Sequence, residues 1–194
     1  VMKAGTGEIS QRVVASHVGA LAGSDKIVSA ALRASGARRA DSVSRLFDLA
    51  VAFLTQPLPK GANLGIVTFG GGVGVQFMDH ADRYHLKVPP LMNEDVQSLS
   101  NILPKYWSHG NPVDTTDGAF GEHVVLNCAE TLIKRDYIDC VVVIGIGLLE
   151  AFTGVLGDKT IIELGTKREL DEAMLLADLK NKYGKPLIGL TIHA

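Results

Sequence analysis

The residue in this chain best suited to carry out chemistry is His17, which stands among small residues in segment 15–25, ASHVGALAGSD. An imidazole can act as a nucleophile and carry a group covalently between two sites. Gly19 and Gly23 can adopt positive φ and let a bulky anion approach the ring closely. The neutral imidazole is the nucleophilic form, and histidine's ordinary pKa of about 6.5 keeps much of it neutral at pH 7. The plain alternative is a structural histidine buried in a glycine-rich turn.

A second candidate is the glycine run GGGVG at residues 70–74, which follows an apolar stretch at 64–69 and opens a predicted helix. The unpaired N–H groups and the dipole of a helix N-terminus bind phosphate groups. A dinucleotide fingerprint would need a third glycine where Val75 or Phe77 stands, and no Gly-Lys-Ser/Thr follows for a P-loop. The run therefore predicts a site for a bare phosphoryl group, or else a tight turn without a ligand.

Polar residues in the loop GNPVD at 110–114 are candidates for lining the same site. Asn111 and Asp114 could face a phosphate, although Gly-Asn-Pro is also a turn sequence that explains these residue types by itself. Glu150 follows an apolar run at 139–146, where parallel sheets place their ligands. His109 is either a polar lining residue or, as we expect, a surface histidine. His80, His85 and His123 lie on predicted helices without a partner cluster, and the sequence predicts no metal site.

Five segments of the chain, taken in order, resemble the NDP-forming acyl-CoA synthetases, which include the ADP-forming acetyl-CoA synthetases and relatives of succinyl-CoA synthetase. They are SHVGALAGSD at 16–25, LFDLA at 46–50, QPLPKG at 56–61, GGGVG at 70–74 and GNPVD at 110–114. The first segment resembles the phosphohistidine loop of that family. Val18 departs from the family's usual threonine, and Val73 departs from its proline.

The resemblance implies part of an acid–thiol ligase that interconverts acyl-CoA, NDP and phosphate with a carboxylic acid, CoA and NTP. In this reading His17 is the catalytic residue and carries the phosphoryl group as phosphohistidine. The implied phosphate-binding residues are Ser16, Gly19, Gly71, Gly72, Val73 and Gly74. Asn111 and Asp114 would line the same site. The alternatives are a catalytically inactive regulatory or acyl-CoA-sensing relative and a generic α/β phosphate-binding module.

The resemblance also implies parts that this sequence does not contain. The complete enzyme would use CoA, ATP or GTP, and Mg, although no cofactor is expected within this chain. CoA-binding and ATP-grasp domains or a separate subunit would be its partners, together with a small carboxylic acid substrate. We expect a cytoplasmic oligomer without nucleic-acid or membrane partners, and we expect the 194 residues alone to be inactive.

The composition and the alternation of predicted strands and helices predict an α/β protein with a parallel sheet, and the resemblance implies that this sheet is flavodoxin-like. Hydrophobic residues make up 46% of the chain and aromatic residues only 6%, as is typical of a sheet covered by helices on both faces. The net charge of −2 gives no reason to expect binding to nucleic acid or an anionic membrane. Cys128 and Cys140 lack metal-type spacing and are predicted to be buried free thiols, which favours a reducing cytoplasm.

The clearest boundary in the chain is the proline-containing segment 57–62, PLPKGA. Two prolines and a glycine stop a helix and favour an extended connector. We therefore expect a domain boundary here, with residues 57–62 as the linker. The resemblance implies that residues 1–56 are the C-terminal part of a first flavodoxin-like domain that carries the histidine. It also implies that residues 63–194 are a second flavodoxin-like domain, truncated at its C-terminus. Both chain ends are interpreted as strands cut within folded units.

Three features predict where individual helices begin, end and pack. A helix is predicted from an N-cap at Ser24 to a C-cap at Gly36. The next helix carries an apolar stripe over 43–54 that is typical of a packing face. After a long glycine-containing loop, Thr166 and Glu169 form a capping-box pattern that predicts the start of the last helix.

Overall fold

The computed structural model describes residues 1–18 and 23–191. Its contacts divide the chain into two compact units, Val1–Thr55 and Gln56–Ala194. The helices of the first unit are α1 (Glu8–Val18), α2 (Asp25–Ala34) and α3 (Val43–Thr55). An isolated parallel bridge joins Met2 to Ala40 within that unit.

Helix α2 begins and ends where the sequence predicts. Ser24 is its N-cap residue, although the hydroxyl makes no capping hydrogen bond. At the other end Gly36 has φ 72°, which glycine adopts without steric cost. The N–H groups of Gly36 and Ala37 donate to the carbonyls of Arg33 and Leu32 at 3.2 and 3.0 Å. This is a Schellman motif, which satisfies the last carbonyls of the helix.

The apolar stripe of α3 is not buried by the described residues. Phe47 is 66% exposed and Leu54 is 85% exposed, and no residue of α3 is buried. The prediction that this stripe is a packing face is therefore wrong for the part of the chain that the structure describes. Helical periodicity identifies the apolar side of a helix, but it does not identify what covers that side.

The second unit is a four-stranded, wholly parallel sheet with helices around it, which confirms the predicted flavodoxin-like α/β fold. The strands are β1 (Leu64–Thr68), β2 (Val113–Asp114), β3 (Cys140–Ile146) and β4 (Leu187–Thr191). The helices are α4 (Gly71–Arg83), α5 (Asn93–Ser100), α6 (Val124–Ile133), α7 (Leu148–Leu156) and α8 (Lys159–Tyr183), with a short 3-10 helix at Thr116–Phe120. Among the described residues, none of the helices has the length and apolar character needed to cross a membrane.

The two central strands, β1 and β3, divide the core into two layers. Val67 and Val143 point to one face, where they pack with Trp107. Ile66 and Val142 point to the other face, because successive side chains of a strand alternate. Both faces are covered, and this explains why these strands are continuous apolar runs in the sequence.

Both cysteines are buried free thiols, as the sequence predicts. Cys128 packs in one core layer and Cys140 in the other. Burial raises the pKa of the Cys128 thiol to about 12. Burial, with the nearby charge of Asp139, raises the pKa of Cys140 to about 11. Both thiols are therefore unreactive at neutral pH, since the thiolate is the reactive form.

The segment between β3 and the last helix differs from the prediction of a long loop. It contains α7, and α8 already begins at Lys159. The carboxylate of Asp158 caps α8 by accepting from the N–H groups of Thr160 and Ile161 at 2.9 and 3.2 Å. Thr166 and Glu169 lie inside the helix, so the predicted capping box there is wrong. A capping pattern specifies a helix start only where the backbone ahead of it is not already helical.

The strand order β2-β1-β3-β4 creates a switch point at the centre of the sheet. The chain leaves β1 towards β2 on one side, and then crosses to β3 and β4 on the other. In open parallel sheets, ligands bind in the crevice at the carboxyl ends of the two strands that flank such a point. Helix α4 follows β1 and α7 follows β3, so both helices start at this edge.

Candidate functional site

The first turn of α4 presents free backbone donors at the end of β1. Gly70 is the extended N-cap residue, and Gly71, Gly72 and Val73 are the first three helical residues. Their N–H groups have no partner inside the helix. Among the described residues, none accepts a hydrogen bond from these three groups. The turn therefore offers convergent donors at the positive end of a helix dipole.

The surroundings of this turn are open on one side and acidic on the other. A Cβ built at Gly70 or Gly72 would meet no atom within 4 Å, whereas a Cβ at Gly71 would lie 3.2 Å from Oδ2 of Asp114. Oδ1 of Asp114 accepts from the N–H of Thr116 at 2.9 Å. An incoming anion would thus meet free amides and one neighbouring carboxylate that repels it.

Gly74 differs from the glycines before it. Its N–H donates to the carbonyl of Gly70 at 3.2 Å, so this amide is used inside the helix. A Cβ at Gly74 would lie 3.3 Å from Cγ2 of Thr68 and 3.6 Å from Cβ of Pro112. The position therefore suits a residue without a side chain for packing reasons, and the donors open to a ligand are those of residues 71–73.

Asn111 is fully engaged by the backbone of β1 and its surroundings. Its Oδ1 accepts from the N–H of Ile66 at 3.0 Å. Its Nδ2 donates to the carbonyls of Leu64 and Pro89 at 2.8 and 3.1 Å. Both ends of the amide stabilise the edge of β1, so this residue, predicted as possible site lining, has a structural role in these contacts.

The predicted phosphohistidine loop starts inside a helix. Residues 16–18 form the last turn of α1, and the backbone of His17 is helical, so the prediction of a loop is wrong for these three residues. The hydroxyl of Ser16 donates to the carbonyl of Val13 at 2.8 Å. The side chain of His17, and Gly19 as a whole, lie outside what the structure describes.

Comparisons with known proteins identify relatives over the length of the chain. A family model described as the succinyl-CoA ligase like flavodoxin domain matches residues 1–53. The alpha subunit of the ADP-forming acetate–CoA ligase II of Pyrococcus furiosus is 35% identical over 189 residues, which are 97% of this chain and 38% of that protein. The alpha subunit of ligase I from the same organism is 42% identical over 122 residues, 63% of this chain and 26% of the relative.

A solved structure agrees with these sequence relatives. It is acetyl-coenzyme A synthetase 1 of Ca. Korarchaeum cryptofilum, described as dinucleotide forming, in complex with phosphate and ADP. It superposes with a TM-score of 0.68 at 25% identity, over 98% of this chain and 42% of the other. The chain belongs to the NDP-forming acyl-CoA synthetases. It spans 38% and 26% of the lengths of the two sequence relatives.

At the second junction between a strand and a helix, from β3 to α7, an acidic side chain already accepts from the backbone N–H groups. Oε1 of Glu169 accepts from the N–H of Gly147 at 2.6 Å, and Oε2 accepts from the N–H of Glu150 at 2.9 Å. The carboxylate thus caps α7 from a distant helix. Glu150, whose place after β3 suggests a ligand contact in the sequence, contributes its backbone N–H to this cap.

Arg168 and Glu172, two other residues of α8, also bind backbone groups at this edge. The guanidinium of Arg168 donates to the carbonyl of Gly121 at 2.6 Å. Glu172 accepts from the N–H of Leu126, in the first turn of α6, at 3.3 Å. Burial raises the pKa of Glu172, while that hydrogen bond and the charge of Arg168 act in the opposite direction. No local sequence motif predicts these hydrogen bonds of Arg168 and Glu172, because their backbone partners lie far away in the sequence.

Among the side chains that the structure describes, no three from His, Cys, Asp or Glu are grouped so that they could hold a metal ion.

Proposed function

We propose that this chain is part of an acid–thiol ligase that interconverts acyl-CoA, NDP and phosphate with a carboxylic acid, CoA and NTP. The observation that carries the proposal is the combination of a histidine segment like the family's phosphohistidine loop with 35% identity to an ADP-forming ligase subunit over 97% of the chain. The chain covers less than half of that relative. We therefore expect it to supply part of the reaction pathway and to be inactive alone.

In the proposed chemistry His17 is the phosphoryl carrier. Phosphate attacks the acyl carbon of acyl-CoA, the CoA thiolate leaves, and an acyl phosphate forms. An imidazole nitrogen of His17 then attacks the phosphorus, the carboxylic acid leaves as carboxylate, and the ring gives up its N–H proton. The phosphohistidine transfers its phosphoryl group to the NDP and takes a proton back, which restores the neutral imidazole.

The first turn of α4 is proposed to stabilise the transferring phosphoryl group. The N–H groups of Gly71, Gly72 and Val73 are aimed away from the helix, and fixed donors of this kind lower the barrier of phosphoryl transfer by electrostatic stabilisation. Gly74 would contribute packing of the turn against Thr68 and Pro112. Ser16 and Gly19 are proposed to bind the phosphoryl group near His17.

The remaining parts of the enzyme are proposed to lie outside this chain. CoA-binding and ATP-grasp domains or a partner subunit would bind CoA, the ATP or GTP, and the Mg that accompanies the nucleotide. We propose that the complete enzyme is an oligomer and works in the cytoplasm. The two buried free thiols support a reducing compartment.

Phosphorylation of His17 can be tested directly on the intact protein. Incubation with γ-³²P-labelled NTP and Mg should label the protein with phosphate that is acid-labile and alkali-stable, as phosphohistidine is. His17→Asn should abolish both the label and the ligase activity. The matched control is His85→Asn, because His85 is exposed and its φ of 57° suits asparagine. It should keep both the label and the activity.

The possible outcomes distinguish the proposal from its alternatives. Labelling that persists in His17→Asn would assign the carrier role to a different residue. A protein that binds acyl-CoA but never acquires label would be the inactive, acyl-CoA-sensing relative. The melting temperature of His85→Asn should stay near that of the native protein, because an exposed side chain contributes little to stability. Under the proposal the melting temperature of His17→Asn should also stay near the native value. Loss of folding only in His17→Asn would make this histidine structural.

A further inference from the structure

A partly open cavity lies at the switch point of the sheet, away from the glycine turn of α4. Its volume is about 50 Å³, and it is bounded by the carboxyl ends of β1 and β3, the start of α7 and the inner side of α8. Six of its apolar lining residues are Phe69, Val125, Ile146, Leu149, Ala173 and Leu176. Apolar pockets with a few polar groups at this place in parallel sheets are where small molecules bind.

A wider, charged cleft of about 450 Å³ adjoins this cavity. It lies between residues 122–123 and the outer side of α8. Carboxylates of Glu122 and Asp171 line it together with Lys167. Arg168 and Glu172 line both spaces, so these two side chains stand at the boundary between the charged cleft and the apolar cavity.

The polar side chains at this boundary differ in how many of their hydrogen-bonding positions are already occupied. Glu169 has both oxygens on backbone N–H groups, and Arg168 donates to the carbonyl of Gly121. For Glu172, the one hydrogen bond given by the described residues is from the N–H of Leu126, at 3.3 Å. A carboxylate can accept about four hydrogen bonds. Glu172 therefore has acceptor capacity left at the entrance to an apolar space.

We propose that this space binds a short alkylammonium compound, with its chain in the apolar cavity and its ammonium group on the carboxylate of Glu172. The carboxylate of Glu172 favours a cation, because its remaining acceptor positions stand at the entrance to the apolar cavity. Three carboxylates line the cleft together with Lys167, Arg168 and His123. The inner volume is about a third of the roughly 150 Å³ that accepts benzene, so the chain has only a few carbons. A groove beside α4 is lined by Gly71, Gly74 and Pro112, and among the described residues it shares only Thr68 with this site. The proposed amine site is therefore separate from the proposed phosphoryl chemistry.

The test compares n-butylammonium with n-butanol on the complete protein by saturation-transfer NMR of the ligand. These probes have the same chain and differ in head-group charge. A carboxylate probe is avoided because the proposed function makes it a substrate. n-Butylammonium should bind about tenfold more tightly than n-butanol, since its hydrogen bond to Glu172 is charge-assisted. Equal affinities, or no saturation transfer to either probe, would overturn the proposal.

Three variants assign the binding to this cavity. Glu172→Gln keeps the shape and removes the charge, so n-butylammonium should weaken about tenfold, to the level of n-butanol. Glu163→Gln, at an exposed position of the same helix, is the matched control and should change neither affinity. Ala173→Met fills the cavity and should abolish binding of both probes. Unchanged binding in Glu172→Gln would refute the site, and if Ala173→Met fails to fold, the native comparison of the two probes still decides.

Discussion

The side chain of Asn111 makes three hydrogen bonds to the backbone, two to β1 and one to the carbonyl of Pro89. Asn111→Ala should lower the free energy of unfolding by about 2–3 kcal/mol, because it leaves the N–H of buried Ile66 without its acceptor. Urea denaturation measures the change. The matched control is Asn101→Ala, an exposed residue at the end of α5, which should change stability by less than about 0.5 kcal/mol. Equal losses in both variants would show that these hydrogen bonds contribute little.

Asp114 is a second residue whose charge can be tested, because its Oδ2 lies beside the first turn of α4. Asp114→Asn keeps an acceptor for the N–H of Thr116 and removes the negative charge. Binding of inorganic phosphate, measured by calorimetry, should become about two- to fivefold tighter, as expected for one charge near a helix N-terminus. Asp79→Asn, at an exposed position later in α4, should leave the affinity unchanged. Weaker phosphate binding in Asp114→Asn would mean that the carboxylate assists the anion.

Helix α7 depends on a cap supplied by another helix. Glu169→Gln leaves one acceptor oxygen for two N–H groups, those of Gly147 and Glu150. The variant should lose about 1–2 kcal/mol of stability, and hydrogen exchange should become faster at the start of α7. Glu163→Gln on the same helix should exchange like the native protein. Unchanged exchange at α7 in Glu169→Gln would show that the cap is dispensable.

The link between α8 and α6 predicts a pH dependence. Burial raises the pKa of Glu172 above its ordinary value of 4.5, so the folded state keeps a proton that the unfolded chain has already released. The stability from this proton is present below pH 4.5 and is lost as the pH rises through the raised pKa. Glu172→Gln should flatten the stability curve above pH 4.5 and raise the melting temperature at pH 7. A curve parallel to that of the native protein would contradict this.

The chain as a whole divides after Thr55, close to the predicted linker 57–62. Gln56 is tied to the second unit, since its Oε1 accepts from the N–H of Leu187 at 3.1 Å, whereas Leu58 is 77% exposed. Exposed connectors without regular structure are the preferred sites of proteolysis. Within residues 56–194, trypsin should therefore cut after Lys60 before it cuts after Lys159 at the start of α8. Mass spectrometry of the first fragments would show the order of cleavage. Earlier cleavage after Lys159 would show that the connection between α7 and α8 is more accessible than the predicted linker.

Local sequence patterns were sufficient for much of the fold. The buried strands at 64–68 and 140–146 are visible as continuous apolar runs, because both of their faces are covered. The ends of α2 at Ser24 and Gly36 follow from capping rules, since the groups involved lie within one turn of each other. The glycine run at 70–74 is recognisable for the same reason, as it directly joins a strand to a helix.

Interactions between distant residues required the folded chain. Asn111 bonds to Leu64 across 47 positions, and Glu169 caps α7 from 22 positions away, so no local pattern contains both partners. The strand order and the cavity at its switch point depend on how the crossovers pack, which periodicity does not specify. The exposure of the apolar stripe of α3 could not be predicted for the same reason, because periodicity does not specify how a helix packs. An amphipathic pattern reports which side of a helix is apolar, whereas burial depends on a second surface that must be present to cover it.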